Sequence, residues 1–438
     1  MSNRNQKPSD VRVRVPERNQ VAMAISCADD LVGADHPVRR IWAVTERLDL
    51  AAFYAPIKAR AGAVGRDATD PRLLVALWLY GATRGVGSAR ELARLCTESR
   101  PYRWLCGGVS LNHHTLGDFR VGHAAALDEL FTRVIATLVD QGVIQVKRIG
   151  QDGTRVRACA GASSFRRGAR LGLLLEQAKA HVAELRTLLD DPQRSAGLSA
   201  RKRAARVRAA RERHARVERA IAQLPELEAR QAKLKKKVSK KDQARGKLKE
   251  PRASTTDADA RVMKMPDGGF RPAVNVQLAT DTASRAIVGV EVVNAGVDTA
   301  QAEPMRAQVE RRTGRTVHEH LLDGGYLVHE EIERAHAQDV SLYVPPKPPR
   351  NKDQRGSEYE PRPDDSAVLR DWRARMGSDA GQEVYKERAS TSETVNADLK
   401  THRGLVQLTV RGLPKARCVA LWCALAYNLM HFASALMS

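Results

Sequence analysis

Hydrophobic positions change their period several times along the chain, and the changes divide it into stretches. From Val38 the spacing is helical, with Ile41, Val44, Leu48 and Leu50 on one short face. Asp70-Pro71 predicts a helix with proline at its first position, followed by Leu73, Leu74, Leu77 and Leu79. Gly85-Val86-Gly87 ends it. Ser88-x-x-Glu91 has the form of a capping box opening the next helix. Asn112-His113-His114-Thr115 leads into another, carrying Leu116 and Phe119 and then the Leu127–Val139 face. Residues 35–142 therefore read as an all-α N-terminal domain behind a polar arm over 1–34.

The period then drops to two. Val143–Ile149 alternates as a strand, with Asp152 placed just past its tip. Beyond Arg170 a coiled-coil pattern takes over. Leu171, Leu175, Ala178, Val182, Leu185 and Leu189 form one seam. Asp190-Asp191-Pro192 and Gly197 make a turn, and Val207, Ala210, His214, Val217, Ile221 and Leu224 form a second seam. Residues 170–250 are thus expected to be an antiparallel helical hairpin. Strands are predicted over 273–280, 286–293, 317–322 and 341–345, with helices from Asp298 through Val309 and over 330–337. Pro345–Asp365 reads as a surface loop. A helix over Ser392–Lys400, a strand-like Leu405–Val410 and an apolar terminal helix complete the chain. This order describes a mixed α/β sheet over 143–169 and 251–438, interrupted by the hairpin.

Charge adds a partner class. The 438 residues hold 73 Lys+Arg against 51 Asp+Glu, a formal charge of +22, which favours a polyanion. Nucleic acid comes first and an anionic membrane surface second. Aromatics are only 4%, so duplex backbone contact fits better than base stacking. Between Arg201 and Arg216 lie eight Lys/Arg and one acid, and Lys233–Lys249 adds nine with one acid, which points to DNA contact rather than a merely solvated coiled coil. Arginines 72, 84, 90, 94, 100 and 103 interleave the N-terminal helices, compatible with a helix-turn-helix-like unit or with a plain helical domain. Six cysteines without a CxxC pair suit a reducing cytoplasm. Cys96, Cys106, His113 and His114 match no standard zinc spacing, and structural cysteines are the expectation. Cys418–Met437 is membrane-length but contains Asn428, His431 and Ser434, so it reads as a core helix, with a tail anchor as the other reading. The polar N-terminus shows no signal peptide.

Three carboxylates carry the candidate chemistry. Asp152 precedes Gly153, and Asp323 follows Val317–Leu322 and precedes Gly324-Gly325. Aspartates at strand tips lie where open α/β sheets build their sites. Glu393 sits on the Ser392–Lys400 helix, with Tyr385 and Lys400 near its azimuth and Arg388 at the edge of that face. The plain alternative is that Ser390-x-x-Glu393 only caps the helix. Gathered together, three carboxylates call for cations, and hard oxygens suit two Mg²⁺ ions, with Mn²⁺ as substitute. Such a site performs phosphoryl transfer. Lys400 and Arg388 would hold phosphates, Tyr385 would pack beside them, and Arg155, Arg157, Arg166 and Arg167 would hold a DNA backbone.

The stretch YKERASTSETVNADLKTHRGL, with RGLPKAR and ALAYNL behind it, resembles the Tyr-Arg-Glu-Lys signature of DDE transposases of bacterial insertion sequences. Tyr385, Arg388, Glu393 and Lys400 take its four positions. Four residues rather than three separate Arg388 from Glu393, and Glu387 is the alternative if the register differs. DGTRVRACAGASSFRR and LLDGGYL are similar to one subgroup, and DPRLLVALWLYGATRGVGSARELARL resembles the group's N-terminal helical domain. The resemblance implies an RNase H-like catalytic domain with Asp152, Asp323 and Glu393 as catalytic metal ligands. It further implies cleavage at element ends and strand transfer into double-stranded target DNA, by a cytoplasmic homodimer without membrane contact. A nuclease that cuts without joining, and a DNA-binding protein with a dead site, are the competing functions.

Overall fold

The computed structural model describes residues 27–59, 67–191, 199–237, 250–349 and 355–437, together with 19, 351 and 353. Most of the predicted arm, the hairpin turn around Pro192 and Gly197, and most of the Lys233–Lys249 run lie outside the described residues.

The chain opens with helices α1 (Pro37–Arg47), α2 (Pro71–Thr83), α3 (Ala89–Glu98), α4 (Arg100–Cys106), α5 (His113–Gly122) and α6 (Ala124–Asp140). Their starts follow local chemistry. Asp70 accepts the Arg72 N–H at 2.8 Å, and Asn112 accepts those of His114 and Thr115 at 2.9 Å each. Ser88 accepts the Glu91 N–H, but Glu91 pairs with Arg94 instead of closing the box. Helix α2 is buried from Leu73 to Ala82, as expected of a helix that is apolar all round.

The interruption is helical as predicted: α7 (Gly168–Asp190) packs against α8 (Ala200–Ala222), and α9 (Leu224–Lys237) continues past Pro225. Leu171, Val217 and Ala220 are buried at the hairpin base, with Leu175, Ile221 and Leu224 against them.

The sheet comprises β1 (Arg148–Arg157), β2 (Arg261–Lys264), β3 (Phe270–Asp281), β4 (Ile287–Val293), β5 (Glu319–Leu321) and β6 (Ser341–Tyr343). Its order is β2-β3-β1-β5-β6, with β4 also on β3. Strand β3 is antiparallel to β1, β2 and β4, whereas β1-β5 and β5-β6 are parallel, so the sheet is mixed. Two expectations fail here. The strand predicted over 143–149 begins only at Arg148 and runs to Arg157. Val146 adopts φ 61° and donates its N–H to Asp281 Oδ1 at 2.9 Å, which turns the chain before the strand. Asp152 therefore lies inside a strand, not past its tip. Leu405–Val410 is not a strand; it makes one bridge, Gln407 to Arg157, and buries Leu405 and Leu408.

Helices α10 (Ala302–Thr313), α11 (His329–His336), α12 (Ala367–Gly377), α13 (Asp379–Arg388), α14 (Thr394–Thr401) and α15 (Leu413–Met437) complete the fold. One hydrophobic cluster joins the opening helices, the sheet and α15. Helix α15 packs on α1, α2, α5, α6 and β4. Trp422 Nε1 donates to Arg120 O at 3.0 Å, and Asn428 exchanges two hydrogen bonds with the Ile287 backbone. This is the one helix among the described residues long and apolar enough to cross a membrane, and its most apolar stretch is 67% buried inside the protein. Cys96 and Cys106 are buried thiols.

Candidate active site

Parallel register brings the two aspartates together. Gly150 of β1 stands opposite Leu321 of β5, and Asp152 and Asp323 each lie two residues further on. Alternation along β1 keeps Asp152 on the side of Gly150, and Asp323 lies close enough to repel its carboxylate. Asp323 leaves β5 and accepts the Gly325 N–H at 2.7 Å, opening a short 3₁₀ turn over Gly324–Tyr326. Tyr326 is buried, and its hydroxyl donates to Gln277 Oε1 at 2.5 Å.

Glu393 arrives on a longer rod than the sequence suggests. Ser378 caps α13, and the helix continues through a π-turn over Ala389–Glu393 into α14. The capping reading of Ser390 fails, because its hydroxyl donates back to Glu387 O at 3.0 Å in mid-helix. The π-turn answers the spacing anomaly. At about 100° per residue, five α-helical steps would leave Arg388 and Glu393 about 140° apart. The wider π-turn, with its i→i+5 bonds, returns them to one face, and Arg388 Nη2 meets Glu393 Oε1 at 2.6 Å. The turn packs closely on β1: a Cβ on Gly150 would stand 2.5 Å from Ser392 Oγ.

Arg388 links the helix to the strand. Its Nη1 lies 4.0 Å from Asp152 Oδ1, and its guanidinium sits 5.8 Å over the Tyr385 ring. Asn396, one turn past Glu393, donates Nδ2 to Asp152 Oδ2 at 2.8 Å. Burial, with repulsion from Asp323 and Asp298, pushes the Asp152 carboxyl up to about 6 against the opposing pull of Arg388 and Asn396. Burial depresses the Lys400 ammonium, and Asp152 opposes that shift, so Lys400 faces the same cluster. Burial raises the Tyr385 hydroxyl, with Arg388 acting against it. The alternative acid, Glu387, pairs instead with Arg148 at 2.6 Å, four residues back along β1 from Asp152.

The flanking arginines divide. Arg155 is half-buried and donates to Gly296 O at 3.0 Å, while Arg157 is exposed. Arg166 donates to its neighbour's carbonyl, and Arg167 pairs with Glu250 at 3.2 Å. In the N-terminal helices Arg94 is held by Glu91 and Glu98, and Arg72 by the Thr45 carbonyl, so these two serve the fold.

Sequence reasoning missed Asp298. It is buried, and its Oδ1 accepts from Asn275 Nδ2 and Gln277 Nε2 at 2.7 Å each. Gln277 Oε1 accepts in turn from Gln151 and Tyr326, so a buried polar network supports the aspartates. Glycine is needed beside it, since a Cβ on Gly153 would sit 2.2 Å from Asp298 Oδ1. The available signal was the alternation of Asn275 and Gln277 along the strand predicted over 273–280.

Among the described residues, no three acidic, cysteine or histidine side chains converge tightly enough to enclose an ion. Arg388 supplies the positive charge between Asp152 and Glu393. The donor set is one of hard carboxylate oxygens, and burial and neighbouring carboxylates penalise the charge on Asp152, a penalty that a divalent metal would offset.

Two comparisons with known families bear on this geometry. Residues 26–121 match a family model described as Transposase domain (DUF772). Residues 346–433, which include Tyr385, Arg388, Glu393 and Lys400, match the Transposase DDE domain. No curated protein and no solved structure matches the chain. A match to one transposase domain thus precedes a match to a transposase DDE domain in one polypeptide. The chain belongs to the DDE transposases of insertion elements.

Proposed function

We propose that this transposase cleaves DNA at the ends of its element and joins them to target DNA by metal-dependent phosphoryl transfer, on an RNase H-like domain over 143–169 and 251–438. Asp152, Asp323 and Glu393 are the assigned metal ligands. Divalent ions, when bound, would polarise the scissile phosphate and the attacking oxygen. The chain's own residues do the remainder. Asn396 orients Asp152, Arg388 turns from the two carboxylates to a phosphate, Lys400 holds a second phosphate, and Tyr385 backs the guanidinium. Arg157, exposed beyond Asp152, meets the backbone further along the duplex. The observation that carries this reading is the parallel β1-β5 register, which makes Asp152 and Asp323 neighbours, with Glu393 bound to the same guanidinium that faces Asp152.

The test is a strand-transfer assay with a labelled, pre-cleaved element end, a target plasmid and Mg²⁺ or Mn²⁺. Joined product that disappears in Asp152→Asn and Asp323→Asn is expected. Hydrolysis without joining favours a nuclease, and tight DNA binding without cleavage favours a dead site. Cleavage unaffected by either substitution would falsify the residue assignment.

A further inference from the structure

The two long helices of the hairpin differ sharply in charge. Helix α7 carries three cations and three carboxylates, the mixture expected of a solvated coiled coil. Helix α8 carries nine Lys/Arg and two Glu, and Glu218 is turned to His214 at 3.3 Å. Among the described residues none of the nine cations has a carboxylate within ion-pair distance. Like charges also recur at three-residue spacing, as at Arg208/Arg211 and Arg213/Arg216, which weakens an isolated helix. The seam does not need them. Ala210, Val217 and Ile221 face α7, whereas Arg201, Arg208 and Arg219 fall at steps of seven and eleven, within about 20° of one azimuth and about 180° from the seam. All three are exposed. They span five turns, about 27 Å, which approaches one turn of duplex DNA at about 34 Å.

The base of this stripe is continuous with the rest of the molecule. Arg216 and Arg219 line a cleft with Asp118 of α5 and with Arg411 and Lys415 ahead of and within α15. The acids at its floor are engaged: Asp257 accepts the Gly412 N–H and Asp259 that of Leu413. Helix α8 has no Phe, Tyr or Trp, so it offers no platform for stacking single-stranded bases. Both family matches leave the hairpin out, since one ends at residue 121 and the other begins at 346.

We infer that the outer face of α8 is a docking surface for the duplex DNA backbone, independent of sequence, with Arg201, Arg208 and Arg219 as its phosphate contacts. This rests on the DNA-transposase reading above and adds where the duplex lies. Contact through phosphates alone strengthens binding to every sequence equally and leaves discrimination of element ends to other residues.

The test uses the full chain and the triple variant Arg201→Gln/Arg208→Gln/Arg219→Gln, with helix content checked by circular dichroism. Binding to a labelled 30-base-pair duplex of arbitrary sequence is measured by anisotropy across a salt series. The variant is expected to lose affinity and to flatten the log K against log salt slope by about two to three units, at about 0.9 per phosphate released. An unchanged slope with intact helices overturns the inference. So does a variant that binds duplex as wild type but loses binding to vesicles of anionic lipid. Asp152→Asn separates the two claims: a loss of joining with unchanged duplex binding leaves the α8 surface standing on its own data. A wild-type chain that binds no duplex at all removes both.

Discussion

Burial and neighbouring carboxylates make the charge on Asp152 unfavourable. Its carboxyl rises from 3.8 to about 6, so the folded chain holds this proton more tightly than the unfolded chain does. Stability from that proton is complete below about pH 4 and is lost as pH rises through about 6. Above that, the ionised group costs on the order of 2–3 kcal/mol. Asp152→Asn is therefore expected to melt several degrees higher than wild type at pH 7.5 and to lose most of that advantage by pH 4.5, read by thermal unfolding in chelator; the same advantage at both pH values contradicts it. Gly153→Ala tests the support below. Its new methyl meets Asp298 and Gln277 at 2.2 and 2.4 Å, and a destabilisation of about 1–3 kcal/mol is expected in urea titrations. The three candidate acids were legible from glycine neighbours and motif. Asp298 was not, because its role depends on Asn275 and Gln277 reaching it across the fold.

At the scale of elements, the predicted β3, β4, β5 and β6 correspond to strands because alternation or short apolar runs mark them. Strand β1 was misplaced, since Val143–Ile149 alternates as well as any strand while the true strand is polar through Gln151–Arg155. Pairing with β3 over nine residues outweighs that polarity. Helix α12, just past the loop expected over Pro345–Asp365, went unread, although Trp372 anchors it by donating to Val344 O at 3.1 Å. The π-turn was invisible to arithmetic at 100° per residue. It also makes a deletion test possible. Removing Ser390 leaves Arg388 and Glu393 four α-helical steps apart, still on one face, and cleavage is expected within about tenfold of wild type. Removing Thr394 instead rotates Asn396 and Lys400 by about 100° relative to Glu393. Loss of at least about a hundredfold in cleavage is expected there, with helix content retained in both. Equal activity of the two deletions would contradict the geometry.

Over the whole molecule, the sequence divides into a helical front and an α/β body, but the packing does not. The cluster that contains Val38, Leu77 and Phe131 also contains Val276, Val290 and Trp422. Periodicity marks which residues are apolar without saying which faces meet, so this joint core was not legible. Trp422→Ala is expected to cost about 3–5 kcal/mol in denaturant unfolding, through lost burial and an unpaired Arg120 carbonyl. A chain ending at Gly412 should collect in the insoluble fraction on expression. A soluble product with a cooperative melt would show that the front and body stand without α15.

Because the twenty-five residues of α15 fill the centre, a ribosome must make that helix before the interior can close. Until then the first helices emerge with their greasy sides uncovered. A message cut short ahead of α15, or a frameshift within it, yields no partly working protein, only material for chaperones and proteases.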